Sequence, residues 1–253
     1  MKRHAIVVGA SSGIGAAIVT ELMDAGWDVS ALARRAPPSD APSASRWIRC
    51  DVTDDASVAR AIAEALDGGG TPSALIYSAG VGAFGRTLDV PELSSRSAFE
   101  VNFWGVERVV RRVHPVMTAA GAGAIVVVLS IAALRAVPFE AHYGASKAAC
   151  ARWLDCLALE SEASGVRVRY LAPGYVPTGF LERAGWHGLD VPVVNGSGVE
   201  AADVARAVVA IAEGRRSRAV FGWRENAISL VDRLLPGAYD RVLRGRIRRT
   251  RRS

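Results

Sequence analysis

The sequence predicts an α/β protein built on a doubly wound parallel sheet, and three observations carry that expectation. Short aliphatic runs alternate with longer, alanine-rich amphipathic stretches along nearly the whole chain. The runs lack period-two polarity, as strands covered on both faces do. The chain has 253 residues, 50% of them apolar and 22% charged, enough for a single domain with a sizeable core. No internal repeat or low-complexity block divides it, and the composition excludes a disordered, collagen-like or disulfide-stapled chain.

Taken in order, His4–Val8 reads as a strand, Ile14–Ala25 as a helix and Asp28–Ala33 as a second strand. Pro37–Ala44 is a polar, proline-rich connector to the strand Arg46–Cys50, the helix Asp54–Leu66 and the strand Ala74–Tyr77. A long helix is predicted over Ser94–Thr118, then the apolar strand Ala124–Leu129, the helix His142–Ser164 and the strand Val166–Leu171. Gly174–Gly198 is punctuated by Gly and Pro, the pattern of a binding loop or lid. The helix Val199–Glu213 and a short strand Arg218–Phe221 complete the sheet domain, residues 1–222 with the substrate loop at about 174–199. Residues 223–253 are expected to form a C-terminal helical extension with an arginine-rich tail.

The net charge of +6 belongs to that tail. Residues 241–253 hold seven arginines and no acid, and the rest of the chain has 24 basic against 25 acidic residues. The tail is read as a solvated terminus or packing element, with peripheral contact to an anionic membrane as the alternative and no nucleic acid expected. The longest aliphatic stretch, Ala124–Leu129, is far short of the roughly 20 residues that span a bilayer. Lys2 and Arg3 precede a run that meets glycine at once, which a first strand explains better than a signal peptide. Cys50, Cys150 and Cys156 lack metal-ligand spacing and suit a reducing compartment, and His4 and His114 have no ligating partners in sequence. A soluble cytoplasmic domain without metal is expected.

The chemistry begins at the first β–α junction, Val7-Val8-Gly9-Ala10-Ser11-Ser12-Gly13-Ile14-Gly15. Gly9 permits a tight turn, Gly13 lets the backbone approach a pyrophosphate, and Gly15 allows close helix packing. The free N–H groups at the helix start can receive the anion. The second strand ends Leu32-Ala33-Arg34-Arg35 with no acid before Asp40, which favours the 2′-phosphate of NADP(H) over the free ribose hydroxyl of NAD. Tyr143 and Lys147 stand at i and i+4, one helical turn apart. A neighbouring ammonium favours phenolate and lowers a tyrosine pKa from its usual value near ~10. Of 31 basic residues only Lys2 and Lys147 are lysines, so Lys147 stands out in an arginine-biased chain. Ser130 follows a strand end, where ligands meet a doubly wound sheet, and can hold a carbonyl beside the tyrosine.

With these motifs in order, the chain resembles a classical short-chain dehydrogenase/reductase from about residue 4 to 221, on a Rossmann-like fold. The resemblance rests on the Gly9–Gly15 loop, Asp51-Val52, Tyr77-Ser78-Ala79-Gly80, Asn102, Ser130, Tyr143-x3-Lys147 and Pro173-Gly174-Tyr175-Val176-Pro177-Thr178. It implies that Asp51 and Val52 flank the adenine and that Ser78, Ala79 and Gly80 line the cofactor groove. Asn102 would kink its helix and hold a water in a relay to Lys147. Ser130 would orient the substrate carbonyl, Tyr143 would be the general acid–base, and Lys147 would position the ribose and tune Tyr143. Pro173, Gly174 and Val176 would border the cofactor, Thr178 would contact the nicotinamide carboxamide or the phosphates, and a homodimer or homotetramer would form through the long helix carrying Tyr143.

Two departures from the family pattern stand out. The usual Asn-Asn-Ala-Gly is Tyr77-Ser78-Ala79-Gly80, so part of the hydrogen bonding behind the fourth strand differs. Ser12 occupies the place of a basic residue before Gly13, leaving the 2′-phosphate to Arg34 and Arg35. His142 is read as a helix-starting polar residue, and Trp186 and His187 as residues of the closing loop. Gly85–Thr87 and Phe139 are expected to border the pocket, and Cys150 and Cys156 to be buried packing residues. The expected function is an NADP(H)-dependent oxidoreductase, a ketoreductase acting on a small carbonyl or alcohol. A non-catalytic NADP(H)-sensing scaffold is the alternative, disfavoured because Tyr143 and Lys147 are both present.

Overall fold

The computed structural model describes residues 2–39, 45–190, 198–215, 219–221 and 237. Seven parallel strands form the central sheet in the order β3-β2-β1-β4-β6-β7-β9. These are β1 (His4–Val8), β2 (Asp28–Ala33), β3 (Arg46–Arg49), β4 (Ala74–Tyr77), β6 (Gly123–Val128), β7 (Val166–Pro173) and β9 (Ala219–Phe221). The chain winds outward from β1 toward β3, then returns to place β4 on its other side. That reversal leaves a crevice at the carboxyl ends of β1 and β4, where a doubly wound sheet takes its ligands.

Both faces of the sheet are covered, as the strand pattern predicts. Ile6, Leu75, Ile125 and Val127 pack with α2 (Asp55–Gly69), α4 (Gly105–Ala119) and α5 (Ala141–Glu160). Val7, Ile76, Val126 and Leu171 face the other way, toward α1 (Gly13–Asp24) and α7 (Ala201–Ala212). Alternate residues of one strand thus enter two different cores, which is why β1, β4 and β6 read as unbroken apolar runs. Each buried aliphatic side chain contributes about 1.5–3 kcal/mol. The start of α2 is fixed by Asp54, whose carboxylate accepts from the N–H groups of Ala56 at 2.9 Å and Ser57 at 3.3 Å.

Three features depart from the sequence expectation. The predicted helix Ser94–Thr118 is α3 (Glu92–Phe99) and α4 joined by a π-helical turn, Glu100–Trp104. Periodicity cannot reveal one extra residue in a turn. A second, two-stranded parallel sheet pairs β5 (Ala83–Gly85) with β8 (Gly185–His187), placing Phe84 beside Trp186. Its strands are three residues each, too short for a sequence pattern. Cys156 is exposed, whereas Cys150 is buried as expected: six residues apart on α5, they lie about 120° apart around its axis. The arginine tail and most of the predicted extension lie outside the described residues. Among the described residues no helix is long and apolar enough to cross a membrane, and no cluster of three His, Cys, Asp or Glu side chains is placed to hold a metal.

Candidate active site

A cleft of about 670 Å³ opens along the carboxyl ends of β1, β4, β6 and β7. Its size suits a dinucleotide with a small substrate. The structure brings nearly all the predicted residues into its wall. Gly9, Ser11, Ser12, Gly13, Ile14, Arg34, Arg35, Asp51 and Val52 line one end. Ser78, Ala79, Gly80, Ser130, Tyr143, Lys147, Pro173, Gly174, Val176 and Thr178 line the remainder. Gly15 and Asn102 stand behind the wall.

The glycine loop fits a bound dinucleotide. Gly9 has φ +85°, and a Cβ there would lie 2.4 Å from the backbone nitrogen of Ala79. Only a glycine closes this turn against the next strand's loop. A Cβ on Gly13 would sit 2.9 Å from the Cβ of Thr178, so the loop and the segment after β7 form a narrow cradle. Gly15 packs below the carbonyl of Gly9. At the adenosine end, Arg35 rather than Arg34 reaches over the loop: its guanidinium donates to Ser12 Oγ at 2.9 Å and Ser11 Oγ at 3.3 Å. Arg34 faces the Asp51 carboxylate at 4.0 Å, an exposed and weak pair. Asp51 itself accepts from the backbone N–H of Thr53 at 3.0 Å and its hydroxyl at 2.8 Å, capping the turn into α2.

At the other end, α5 carries Tyr143 and Lys147 into the cleft, and both are buried. Burial raises the Tyr143 pKa well above its usual value; a hydrogen bond with Ser130 lowers it again in part, and the carboxyl of Glu140 adds to the rise. The phenol is therefore held protonated. The expectation that Lys147 tunes Tyr143 concerns an ammonium that is itself desolvated and already hydrogen-bonded. Lys147 is itself pushed down to about 8 by burial, and its ammonium donates to the carbonyl of Val128 at 3.2 Å.

Behind them, Asn102 sits in the π-helical turn. Its Nδ2 donates to the carbonyl of Val81 at 3.0 Å and to Ser146 Oγ at 2.9 Å, while its Oδ1 accepts from the N–H of Val81 at 3.0 Å. A Cβ added to Gly80 would find Asn102 Oδ1 at 3.3 Å and Lys147 Nζ at 3.4 Å, so the three are clustered. Tyr77 explains the departure from the family pattern. Its buried hydroxyl donates to the carbonyl of Val101 at 2.7 Å, inside the π-helical turn. The same hydroxyl occupies the space a Cβ on Gly105 would need, at 2.5 Å.

Several wall residues escaped the sequence reading. Phe84, Phe180, Leu181, Arg135 and Glu140 line the cleft, and Trp186 joins them. Phe84 packs at 4.8 Å from Trp186, 5.4 Å from Tyr143 and 6.2 Å from Phe180, between ring centroids. The Trp186 indole N–H donates to the carbonyl of Leu181 at 2.7 Å, so Trp186 packs the closing segment as well as facing the cleft. Glu140 carried one available signal, an acid three residues before the tyrosine; Phe84 carried none, because its place depends on the small sheet. Gly85–Thr87 and Phe139 do not line the cleft as expected. Instead the N–H of Gly85 donates to the carbonyl of Phe139 at 2.9 Å, holding Phe139 at φ +69°. His142 ties elements together: its Nε2 donates to the carbonyl of Thr87 at 2.9 Å, and its Nδ1 accepts from Ser95 at 2.7 Å.

The comparisons with known proteins agree with this geometry. The short chain dehydrogenase family matches residues 3–186. An uncharacterized oxidoreductase of Escherichia coli K12, YbbO, is 29% identical over 97% of this chain and 95% of its own length. The 2-(R)-hydroxypropyl-CoM dehydrogenase of Xanthobacter autotrophicus is 33% identical over 70% of this chain and 76% of its own. A crystal structure of a short chain dehydrogenase from Burkholderia cenocepacia, in complex with NADP, superposes with TM-score 0.83 at 28% identity, covering 96% of this chain and 97% of that one. The protein thus belongs to the short-chain dehydrogenase/reductase family, and is an oxidoreductase of alcohol and carbonyl groups that uses a nicotinamide cofactor.

Proposed function

We propose that this protein is an NADP(H)-dependent ketoreductase interconverting a carbonyl and a secondary alcohol. One observation carries the reading. Burial keeps the Tyr143 phenol protonated beside Ser130 and Lys147 at the wall of one cleft, as a proton donor to a nascent alkoxide must be. When bound, NADPH supplies hydride to the carbonyl carbon. Ser130 donates to the carbonyl oxygen and holds it against Tyr143. The Tyr143 hydroxyl then gives its proton to that oxygen as negative charge develops. Lys147, with a pKa of about 8, can return a proton toward Tyr143 from the side of Asn102. Asn102 keeps this region in shape through Val81 and Ser146. Preference for NADP(H) rests on Arg35, Ser11 and Ser12, with Arg34 nearby and no acid at the end of β2.

The test is NADPH absorbance with a panel of ketones, NADH in parallel, and the Tyr143→Phe variant. Turnover by the native protein and a loss of about 1,000-fold in the variant, with NADPH affinity unchanged within threefold, is expected. Undiminished turnover would falsify the assignment of Tyr143. Tight NADPH binding without turnover of any ketone would favour the sensing role.

A homodimer or homotetramer is proposed on the exposed face of the π-helical turn and α5. There Phe103 packs with Trp104 at 4.7 Å and with Trp153 at 6.5 Å, and Trp104 and Leu159 remain 45% and 73% exposed. Light scattering of Trp104→Glu, read against the native protein, should show a smaller species.

A further inference from the structure

The π-helical turn Glu100–Trp104 is held from two sides, and one hold comes from a residue that the reaction above does not touch. Within the turn the N–H of Gly105 reaches back five residues, to the carbonyl of Glu100, instead of four. Where the ladder returns to four-residue steps in α4, one carbonyl is passed over. The carbonyl next after that of Glu100 belongs to Val101, and it accepts from the Tyr77 hydroxyl at 2.7 Å. Val101 and Tyr77 are both buried, where a carbonyl left without a donor is costly.

That bond is placed to act on Asn102. The Val101 carbonyl and the Asn102 N–H belong to one planar peptide unit, so gripping the oxygen sets the plane from which Asn102 departs. The Asn102 side chain in turn holds both the N–H and the carbonyl of Val81, and Ser146 Oγ. Val81 continues the cleft wall after Gly80, and Ser146 directly precedes Lys147 on α5. A chain of contacts thus runs from the core to the catalytic end of the cleft. The Tyr77 ring is fixed at its base among Cys50, Val52, Val106 and Cys150, and burial raises its phenol pKa, so the hydroxyl stays a donor. The asparagine usual at this position is shorter by most of a phenyl ring and ends short of Val101 from the same strand. The second hold is on the solvent side. Arg108 pairs with Glu100 and donates to the carbonyl of Val52 at 3.2 Å, which keeps the turn attached when the hydroxyl is removed.

We propose that Tyr77 is a positioning residue, whose hydroxyl orients the Val101–Asn102 peptide and thereby sets the Asn102 side chain against Val81 and Ser146. The effect on turnover rests on the ketoreductase reading, and the effect on Asn102 does not.

The test reads Asn102 directly. The chain has three asparagines and no glutamine, so protein labelled with amide-15N asparagine gives three side-chain pairs, and the pair lost in Asn102→Asp is that of Asn102. In Tyr77→Phe, which keeps the ring, exchange of the Asn102 Nδ2 protons with water should quicken about tenfold. Ile18→Val trims the opposite core and lowers the urea midpoint without touching the turn, so it should leave that exchange within twofold. Gly105→Ala, whose methyl group displaces the same hydroxyl, is the second variant and should quicken the exchange in the same sense. Unchanged exchange in Tyr77→Phe or in Gly105→Ala, or an equal rise in Ile18→Val, overturns the proposal. Turnover is scored separately, with NADPH and the ketone that the native protein reduces fastest. Tyr77→Phe should lower kcat about tenfold with both KM values within threefold, and a native kcat overturns the proposal. No reduction of any ketone by the native protein sinks the ketoreductase reading alone, because the amide signal needs no turnover.

Discussion

The two ends of the parallel sheet both bury titratable side chains, and they bury them differently. At the amino ends of the strands, His4 is 2% exposed and every hydrogen-bonding capacity of its ring is met. Its Nδ1 donates to the carbonyl of Gly70 at 3.2 Å, which leaves Nε2 to accept from Ser30 Oγ at 3.0 Å. Arg46 closes the network, donating to Ser30 at 3.5 Å and to the carbonyl of Gly68 at 2.7 Å. At the carboxyl ends, Tyr143 and Lys147 are also buried and also shifted, but they converge on an open cleft. Burial and a displaced pKa are common to the two ends. What distinguishes the candidate site is hydrogen-bonding capacity aimed into space a ligand can fill.

Substitutions at each end sharpen this contrast. The largest effect after Tyr143→Phe is expected for Arg35→Ala, which removes a guanidinium placed over Ser11 and Ser12. The KM for NADPH should rise about 10–100-fold, the worth of one or two charge-assisted hydrogen bonds, with NADH kinetics unchanged. An equal rise for both cofactors would move the 2′-phosphate elsewhere. Next is Gly105→Ala, whose methyl group meets the Tyr77 hydroxyl. A destabilisation of about 1–3 kcal/mol in urea denaturation is expected, together with a lower kcat through the displaced π-helical turn. Adding Tyr77→Phe should restore part of both. No rescue would separate Tyr77 from the turn.

The smallest kinetic effect belongs to the amino end. His4→Leu should cost about 1–2 kcal/mol of stability, because Ser30 and Gly70 lose their partner, while kcat/KM stays within twofold. Burial lowers the His4 pKa below 6.5, so the folded state holds the ring neutral where the unfolded chain takes up a proton. This contribution is fully present above about pH 6.5 and is lost as pH falls through the window below it. In His4→Leu that part of the acid sensitivity should vanish from the unfolding midpoint measured between pH 5 and 7. A change in turnover would break the distinction between the two ends.

The cofactor half of the cleft was legible in the sequence because its chemistry is local. Gly9, Gly13, Tyr143 and Lys147 stand at short, fixed spacings within one loop or one helical turn, and spacing survives in a linear text. The substrate half was not legible, because Phe84, Tyr143 and Phe180 meet only through the pairing of β5 with β8 and the backbone bond from Gly85 to Phe139. Those contacts span up to about 100 positions and leave no period. Arg35 illustrates an intermediate case. The pair Arg34-Arg35 was visible, but which of them turns over the glycine loop depends on the path of the chain after β2.

The π-helical turn at Glu100–Trp104 sets local stability against function. It is one residue longer than an α-helical turn, so deleting one residue there would merge α3 and α4 into a regular helix with better backbone geometry. The same deletion would rotate every side chain beyond it by roughly 100° relative to those before, taking Asn102 away from Val81 and Ser146. A shorter, locally sturdier chain would therefore lose the site. This part of the sequence should tolerate exchange of residues far better than any change in their number.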